Sequence, residues 1–176
     1  MKRSINNRGF TLVELIVSVA ILGIIALGAS AFMAAGSKAY SNLNYTVRLQ
    51  YESQRAMSQL QEYTVDCATG LAWDDSETAL YIVNDSTVHL FDFDETAGTL
   101  SYGIGTAAQT LSVIADAPMA EHIESMDVTL QDADMQAEIT LTLCRENRRY
   151  TATQIISLRN QPALAESWAA LWNEIK

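Results

Sequence analysis

One carboxylate lies inside the longest apolar run of the sequence. Residues Arg8–Leu15 read RGFTLVEL, and Glu14 falls near the start of the run from Phe10 to Ala35. An unpaired carboxylate facing hydrocarbon costs about 2.5 to 3.5 kcal/mol on insertion scales. A cationic partner would offset that cost, because opposite charges stabilise one another at low dielectric. Glu14 is therefore the first candidate for chemistry, with the alternative that it reaches out to the lipid headgroups.

Little else has the spacing of a catalytic or metal site. His89 and His122 stand apart from any nucleophile motif, and no Gly-rich phosphate loop or HExxH occurs. The acidic stretch DFDETAG (92–98) lacks the glutamate that follows in an EF-hand loop, so its acids are interpreted as turn residues. We predict no metal site, no cofactor and no enzymatic activity.

Two further charged groups are interpreted as exposed loops. Asp74, Asp75 and Glu77 are typical of a solvated loop. A second group, Arg145, Arg148 and Arg149, flanks a predicted turn. These arginines are candidates for a partner contact, although exposed turn charges are the commoner case.

The two cysteines leave their chemistry open. Cys67 and Cys144 have no metal-like spacing. On an exported domain they could form one disulfide. Two thiols acting as small buried hydrophobes fit the sequence equally well.

The run from Phe10 to Ala35 has 26 residues and exceeds the roughly 20 needed to cross a bilayer as a helix. The nine residues before it carry Lys2, Arg3 and Arg8 and no acid. Because basic flanks tend to stay in the cytoplasm, the remainder is predicted to face outward. That remainder, from Gly36 onward, has 8 Lys and Arg against 20 Asp and Glu. Such acidity disfavours direct binding of nucleic acid and favours protein partners.

An ordinary signal peptide is the main alternative. Ala29-Ser30-Ala31 has the small residues of a signal-peptidase site, so a cut after Ala31 would yield a secreted or membrane-tethered binding protein. Two features oppose this reading. The apolar run continues past the site, and a helical pattern follows without a break.

The pattern after the apolar run predicts a single helix from about Phe10 to about Thr64, roughly 80 Å long. Its second half is expected to be amphipathic. The predicted apolar stripe consists of Tyr40, Leu43, Val47, Tyr51, Met57, Leu60 and Thr64.

Short alternating runs then predict a head of antiparallel strands. The predicted strands are 79–84, 87–93, 99–103, 110–114, 125–132, 137–144 and 150–158. The last residues, 161–176, place Leu164, Trp168, Leu171, Trp172 and Ile175 at helical spacing, with Pro162 in the first turn. We expect its Trp face to cover the sheet, with partner docking as the alternative. The fold class is therefore α+β: a long N-terminal helix packed against an antiparallel β-sheet head, with a short C-terminal amphipathic helix.

Glycine, aromatic, Thr, two apolar residues and glutamate stand at fixed positions in GFTLVE (9–14), behind a basic leader and ahead of an apolar helix. This N-terminus resembles that of type IV prepilins and pseudopilins. The resemblance implies cleavage by a prepilin peptidase between Gly9 and Phe10, and methylation of Phe10. It also implies that Glu14 pairs with the N-terminal ammonium of a neighbouring subunit and so sets the register of a filament core.

The head is similar to those of larger minor pilins and J-type pseudopilins. The absence of a helix-bending proline before Pro118 also fits a minor pilin or pseudopilin rather than a main subunit. The implied partners are other pilin or pseudopilin subunits, the peptidase and an assembly platform. The protein would sit in the cytoplasmic membrane by one span until it enters a filament at the cell surface for pilus, competence or type II secretion function.

The resemblance divides the chain into five segments. Residues 1–9 are the leader, 10–35 the membrane and filament-core helix, and 36–64 its amphipathic second half. Residues 65–160 are the sheet head, and 161–176 the C-terminal helix.

Overall fold

The computed structural model describes residues 11–108, 111 and 113–175. Helix α1 (Leu12–Val65) is 54 residues long and begins directly after Thr11. It confirms the single long helix that the sequence predicts. No proline interrupts it, and its first half is rich in alanine and leucine, which are strong helix formers. It ends where Cys67 donates its backbone N–H to the Thr64 carbonyl.

The chain divides into two compact units, residues 1–44 and residues 45–176. In the first unit the described residues are Thr11 and the start of α1, and its large apolar side chains are all exposed. An 18-residue window of α1 has a mean hydropathy of 2.6, so the helix is long and apolar enough to cross a membrane. Exposed side chains of this kind require lipid or protein around them.

The second unit contains two β-sheets. The larger sheet has the order β5-β4-β3-β2-β1-β9 and the smaller one the order β6-β7-β8. The strands of the larger sheet are β1 (Gly70–Asp74), β2 (Ala79–Asn84), β3 (Thr87–Asp94), β4 (Thr99–Thr106), β5 (Ala117–Ala120) and β9 (Ala163–Ala165). The strands of the smaller sheet are β6 (Ile123–Gln131), β7 (Gln136–Arg145) and β8 (Arg148–Ser157).

Six of the predicted strands match β2, β3, β4, β6, β7 and β8. The remaining predicted strand, 110–114, is wrong. Residues 111, 113 and 114 of the predicted strand 110–114 are not in a strand, and the chain pairs with β4 further on, through β5. Strands β1, β5 and β9 were not predicted. They are three to five residues long, and β1 is buried along most of its length, so alternation of polar and apolar residues does not reveal it.

The main core lies between the second half of α1 and the inner faces of both sheets. The residues of α1 that are buried are Leu49, Ser53, Ala56, Met57, Leu60 and Thr64. The predicted stripe is therefore wrong over its first four members, because Tyr40, Leu43, Val47 and Tyr51 are 60 to 75% exposed. Small side chains such as Ser53 and Ala56 allow closer packing than large ones.

A second core covers the opposite face of the larger sheet. Helix α2 (Trp168–Ile175) buries Trp168 and Leu171 there, so its Trp face covers the sheet as expected. The helix is shorter than the predicted 161–176, because Leu164 lies in β9, parallel to β1. A Cβ on Gly70 would lie 2.6 Å from a methyl of Leu171, so a larger residue at this point of β1 would have to displace the Leu171 side chain.

Candidate functional site

Glu14 lies in the first turn of α1, where a neighbouring hydroxyl holds it. Its backbone N–H donates to Oγ1 of Thr11 at 3.3 Å, and the Thr11 hydroxyl donates to the Glu14 carboxylate at 3.5 Å. Thr11 is thus the N-cap of the helix and Glu14 its third residue, as in a capping box. The carboxylate is exposed and stands at the positive end of the helix dipole.

Thr11 is a functional residue that the sequence analysis did not single out. The spacing T-x-x-E ahead of an apolar run is the signature of a capping box, so the signal was present. The Thr11 hydroxyl satisfies one of the free N–H groups of the first turn, and the Glu14 carboxylate accepts from that hydroxyl, which gives Glu14 a structural role besides the proposed pairing. Both roles require the carboxylate at the start of the helix.

The proposed cleavage residues Gly9 and Phe10 lie outside the described residues. Thr11 and the α1 residues of the first unit are nearly all exposed, and no Lys, Arg or His ion pair with Glu14 occurs within the described part of the chain. The structure therefore presents Glu14 without an intramolecular cation.

The two cysteines are free thiols in the structure, so the possible disulfide is not formed there. Cys67 is buried, and its thiol donates to the Gly70 carbonyl at 3.1 Å. Burial raises the pKa of Cys67 to about 11. Cys144 lies near the end of β7 and is partly exposed. Cys67 is therefore buried like a small hydrophobe while Cys144 is not, so the structure fits the alternative of two buried thiols only at Cys67.

The thiols give a first testable prediction. In the native protein at pH 8, a maleimide reagent is expected to label Cys144 well before Cys67, because Cys67 is buried and almost fully protonated. Unfolding without reductant should then expose one more reactive thiol. Mass spectrometry of labelled peptides measures both results, and no labelling after unfolding would contradict the free-thiol state.

The two histidines lie in different surroundings. Nδ1 of His89 is 2.8 Å from the Tyr102 hydroxyl, in an aromatic cluster with Tyr63, and burial lowers the pKa of His89. Nδ1 of His122 lies 3.9 Å from a Glu52 carboxylate oxygen. Within the described residues, neither imidazole ring forms a hydrogen bond with a serine or cysteine side chain, so no nucleophile is paired with a histidine base there.

The acidic residues of the predicted loops cap tight turns. Asp94 accepts hydrogen bonds from the backbone N–H groups of Thr96 and Ala97, in the turn that the DFDETAG stretch forms. Asp74 accepts in the same way from Ser76 and Glu77. These carboxylates therefore stabilise turns by accepting hydrogen bonds from backbone N–H groups, as the sequence indicated. No group of three or more metal-ligating side chains occurs within residues 11–108, 111 and 113–175.

The three arginines of the β7–β8 turn differ in their partners. Arg149 forms an ion pair with Glu124 on β6. The Arg145 guanidinium lies over the ring of Tyr45, 5.6 Å from its centroid. The Arg148 side chain is exposed and has no ion pair or hydrogen bond with another described residue. Of the three arginines it is the one whose side chain has no partner within the described part of the chain.

Comparison with known proteins assigns the N-terminus. Residues 5–30 match the family model described as the prokaryotic N-terminal methylation motif. No curated protein matches the chain. The motif covers Gly9, Phe10 and Glu14 and the first turns of α1 but leaves the head unassigned. The motif, together with the single long apolar helix, supports a membrane-anchored, type IV pilin-like precursor, a class of structural rather than enzymatic proteins.

Proposed function

We propose that the protein is a structural subunit of a type IV pilus, competence or type II secretion filament. The observation that carries the proposal is the methylation motif at residues 5–30, directly ahead of a helix long enough to span a membrane. Helix packing supplies the bulk of the assembly energy, since the apolar side chains of the first unit are exposed and need a surrounding surface.

Processing precedes assembly in this proposal. A prepilin peptidase cuts between Gly9 and Phe10 and methylates Phe10, which removes the basic leader of residues 1–9. The new ammonium then stands one residue before the N-cap Thr11. An ammonium is unfavourable at the positive end of a helix dipole, and Glu14 of a neighbouring subunit compensates for it. A subunit out of step would leave both charges unpaired, so the pair sets the register.

The finer assignment is a minor pilin or pseudopilin, held in the cytoplasmic membrane with its head outward. The basic leader favours that orientation. The unbroken course of α1, without proline, and the nine strands among the described residues of the head support a subunit other than a small main pilin. The proposed segments are residues 10–35 for the filament core, 36–64 for the second half of α1, 65–160 for the sheet head and 161–176 for the C-terminal region. Other subunits and an assembly platform are its partners.

A binding protein cut after Ala31 is the competing function. Ala29, Ser30 and Ala31 all lie within α1, and the Ser30 hydroxyl donates to the Leu27 carbonyl as it does in a regular helix. A cut there would divide a continuous helix. This continuity favours the filament subunit.

The N-terminus of the mature protein separates the two functions. We expect mass spectrometry of protein purified from membranes to find a chain that begins at Phe10 and carries one added methyl group. The same protein expressed without a prepilin peptidase should begin at Met1 and serves as the control. A mature chain that begins at Phe32 would refute the filament proposal and favour the signal-peptide alternative.

A further inference from the structure

A pocket lies on the face of the larger sheet that α2 covers. It has a volume of about 720 Å³, which is within the usual range of sites for small ligands and side chains. The wall is formed by β1, β2 and β3, by the start of α2 and by residues of the segment that follows β4. The apolar side chains of the wall include Leu90, Leu111 and Val113, and its carboxylates are Asp74, Glu77 and Asp92. We call it the Asp92 pocket.

Strand pairing places two of the carboxylates on either side of an alanine. Asp74 of β1 pairs with Ala79 of β2, and Ala79 pairs with Asp92 of β3. Paired residues of neighbouring strands point to the same face of a sheet, so both carboxylates border the recess that the small Ala79 side chain leaves. No group of three or more metal-ligating side chains occurs among the residues that the structure describes. An organic cation therefore fits the recess better than a metal ion.

Asp92 has the carboxylate that lacks a partner. Asp74 accepts hydrogen bonds within its own turn, and Glu77 accepts one from the Tyr81 hydroxyl. The Asp92 carboxylate, in contrast, has no hydrogen bond or ion pair with another described residue. Burial, together with the charges of Asp94 and Glu77, raises the pKa of Asp92. Because no lysine or arginine is among the described residues that line the pocket, a compensating cation has to come from outside.

Trp168 brings a second polar group without a partner to the same wall. Its side chain is 8% exposed, and its buried indole N–H has no hydrogen-bond partner within the described part of the chain. Buried donors are nearly always paired in proteins, because an unpaired donor is unfavourable. An indole N–H can only donate, so a cation does not satisfy it. The ligand that completes this wall therefore carries an acceptor oxygen as well as a positive charge.

We propose that the Asp92 pocket binds a lysine or arginine residue of a partner polypeptide. The cationic group lies at Asp92, the aliphatic stem lies against Leu90 and Leu111, and a peptide carbonyl of the same segment accepts from the Trp168 indole. The partner is a protein other than this chain, because 8 Lys and Arg against 20 Asp and Glu from Gly36 onward make two copies repel each other. The site needs only the folded head, so it goes beyond the proposed filament function.

Peptide titration of the full-length chain in detergent micelles tests the pocket. With ¹⁵N-labelled tryptophan, NMR spectra contain one indole N–H signal for each of the three tryptophans, and Trp168→Phe identifies the Trp168 signal. We expect capped alanine-lysine-alanine and alanine-arginine-alanine peptides to shift the Trp168 signal, because its N–H gains an acceptor. Both should bind at least about tenfold more tightly than the norleucine peptide, which has an apolar stem without the charge.

Asp92→Asn removes the charge and keeps the size of the side chain. It should weaken binding of the lysine peptide at least about tenfold. The matched control is Asp127→Asn, which makes the same change at an exposed carboxylate on β6 of the smaller sheet and should leave the affinity unchanged. The indole signals of Trp73 and Trp172 show whether each variant is folded.

Four results would overturn the proposal. They are equal binding of the norleucine peptide and both basic peptides, a Trp168 signal that does not respond, Asp127→Asn as weak as Asp92→Asn, and n-butylammonium binding as tightly as the lysine peptide. The last probe has the cation and the stem without a carbonyl, so equal affinity would assign the pocket to free amines. We expect it to bind more weakly and to leave the Trp168 signal in place. The mature N-terminus tests the filament function separately, since the pocket lies wholly in the head.

Discussion

Replacing Glu14 with alanine is expected to leave the protein in the membrane and to exclude it from filaments. Removal of a charge from an apolar run makes insertion easier. The ammonium of a neighbouring subunit, however, would then be buried in the filament without its carboxylate, and breaking one side of a buried pair costs about 3 to 5 kcal/mol. At that cost the amount of subunit in sheared filaments should fall at least about a hundredfold. Immunoblots of the membrane and filament fractions measure both quantities.

Ser18→Ala provides the matched control, because Ser18 lies one turn further along the same helix. Its hydroxyl donates only to the Glu14 carbonyl, which the helix itself already uses. The Ser18 variant should enter filaments normally. Thr11→Val removes the cap and keeps the carboxylate, so it distinguishes loss of the helix cap from loss of the charge pair. Normal incorporation of Glu14→Ala would refute the pairing role.

Replacing Phe91 with alanine is expected to destabilise the head by about 3 to 5 kcal/mol, as large-to-small changes in packed cores do. Phe91 is fully buried on β3. Its ring lies 5.6 Å from that of Tyr63 on α1 and 5.2 Å from that of Tyr102 on β4, so its loss opens a cavity where the helix meets the sheet. Urea unfolding of the full-length protein in micelles, followed by tryptophan fluorescence, measures the change.

Ile104→Ala is the control for this substitution. Ile104 is on the adjacent strand β4 and is 61% exposed, so the change should stay within about 1 kcal/mol. Equal effects of the two substitutions would mean that α1 and the larger sheet do not share a core at Phe91. The same comparison tests the helix packing, because Tyr63 contacts the Phe91 ring directly.

The sequence predicted α1 to within a few residues, and it predicted six of the nine strands that the described part of the chain contains. These elements are long and regular, so each carries its own pattern of apolar residues. The short strands β1, β5 and β9 have no such pattern, because their pairing with longer strands defines them. Leu164 shows where prediction from spacing fails. Its spacing to Trp168 suits a helix, yet it lies in β9 and pairs with Leu71 of β1.

The candidate site was predictable only in part. Glu14 stood out because a charge in an apolar run is costly, and this property depends on near neighbours alone. Thr11 was recognised only from its hydrogen bonds, although the T-x-x-E spacing carries the same information. The cleft that Asp75, Asp132 and Glu166 line together could not be predicted, because these residues are far apart in the sequence.

The amino-acid sequence by itself determined the membrane-length helix, the position of its carboxylate and the N-terminal motif, since hydropathy, capping and short motifs act over a few residues. Only the tertiary structure decided which face of α1 is buried. Large apolar residues marked one stripe, but Ser53 and Ala56 lie against the sheets because they let the backbones approach. It also decided that Arg148 and Asp132 stand at opposite ends of one sheet, since strand pairing joins residues that the chain keeps apart.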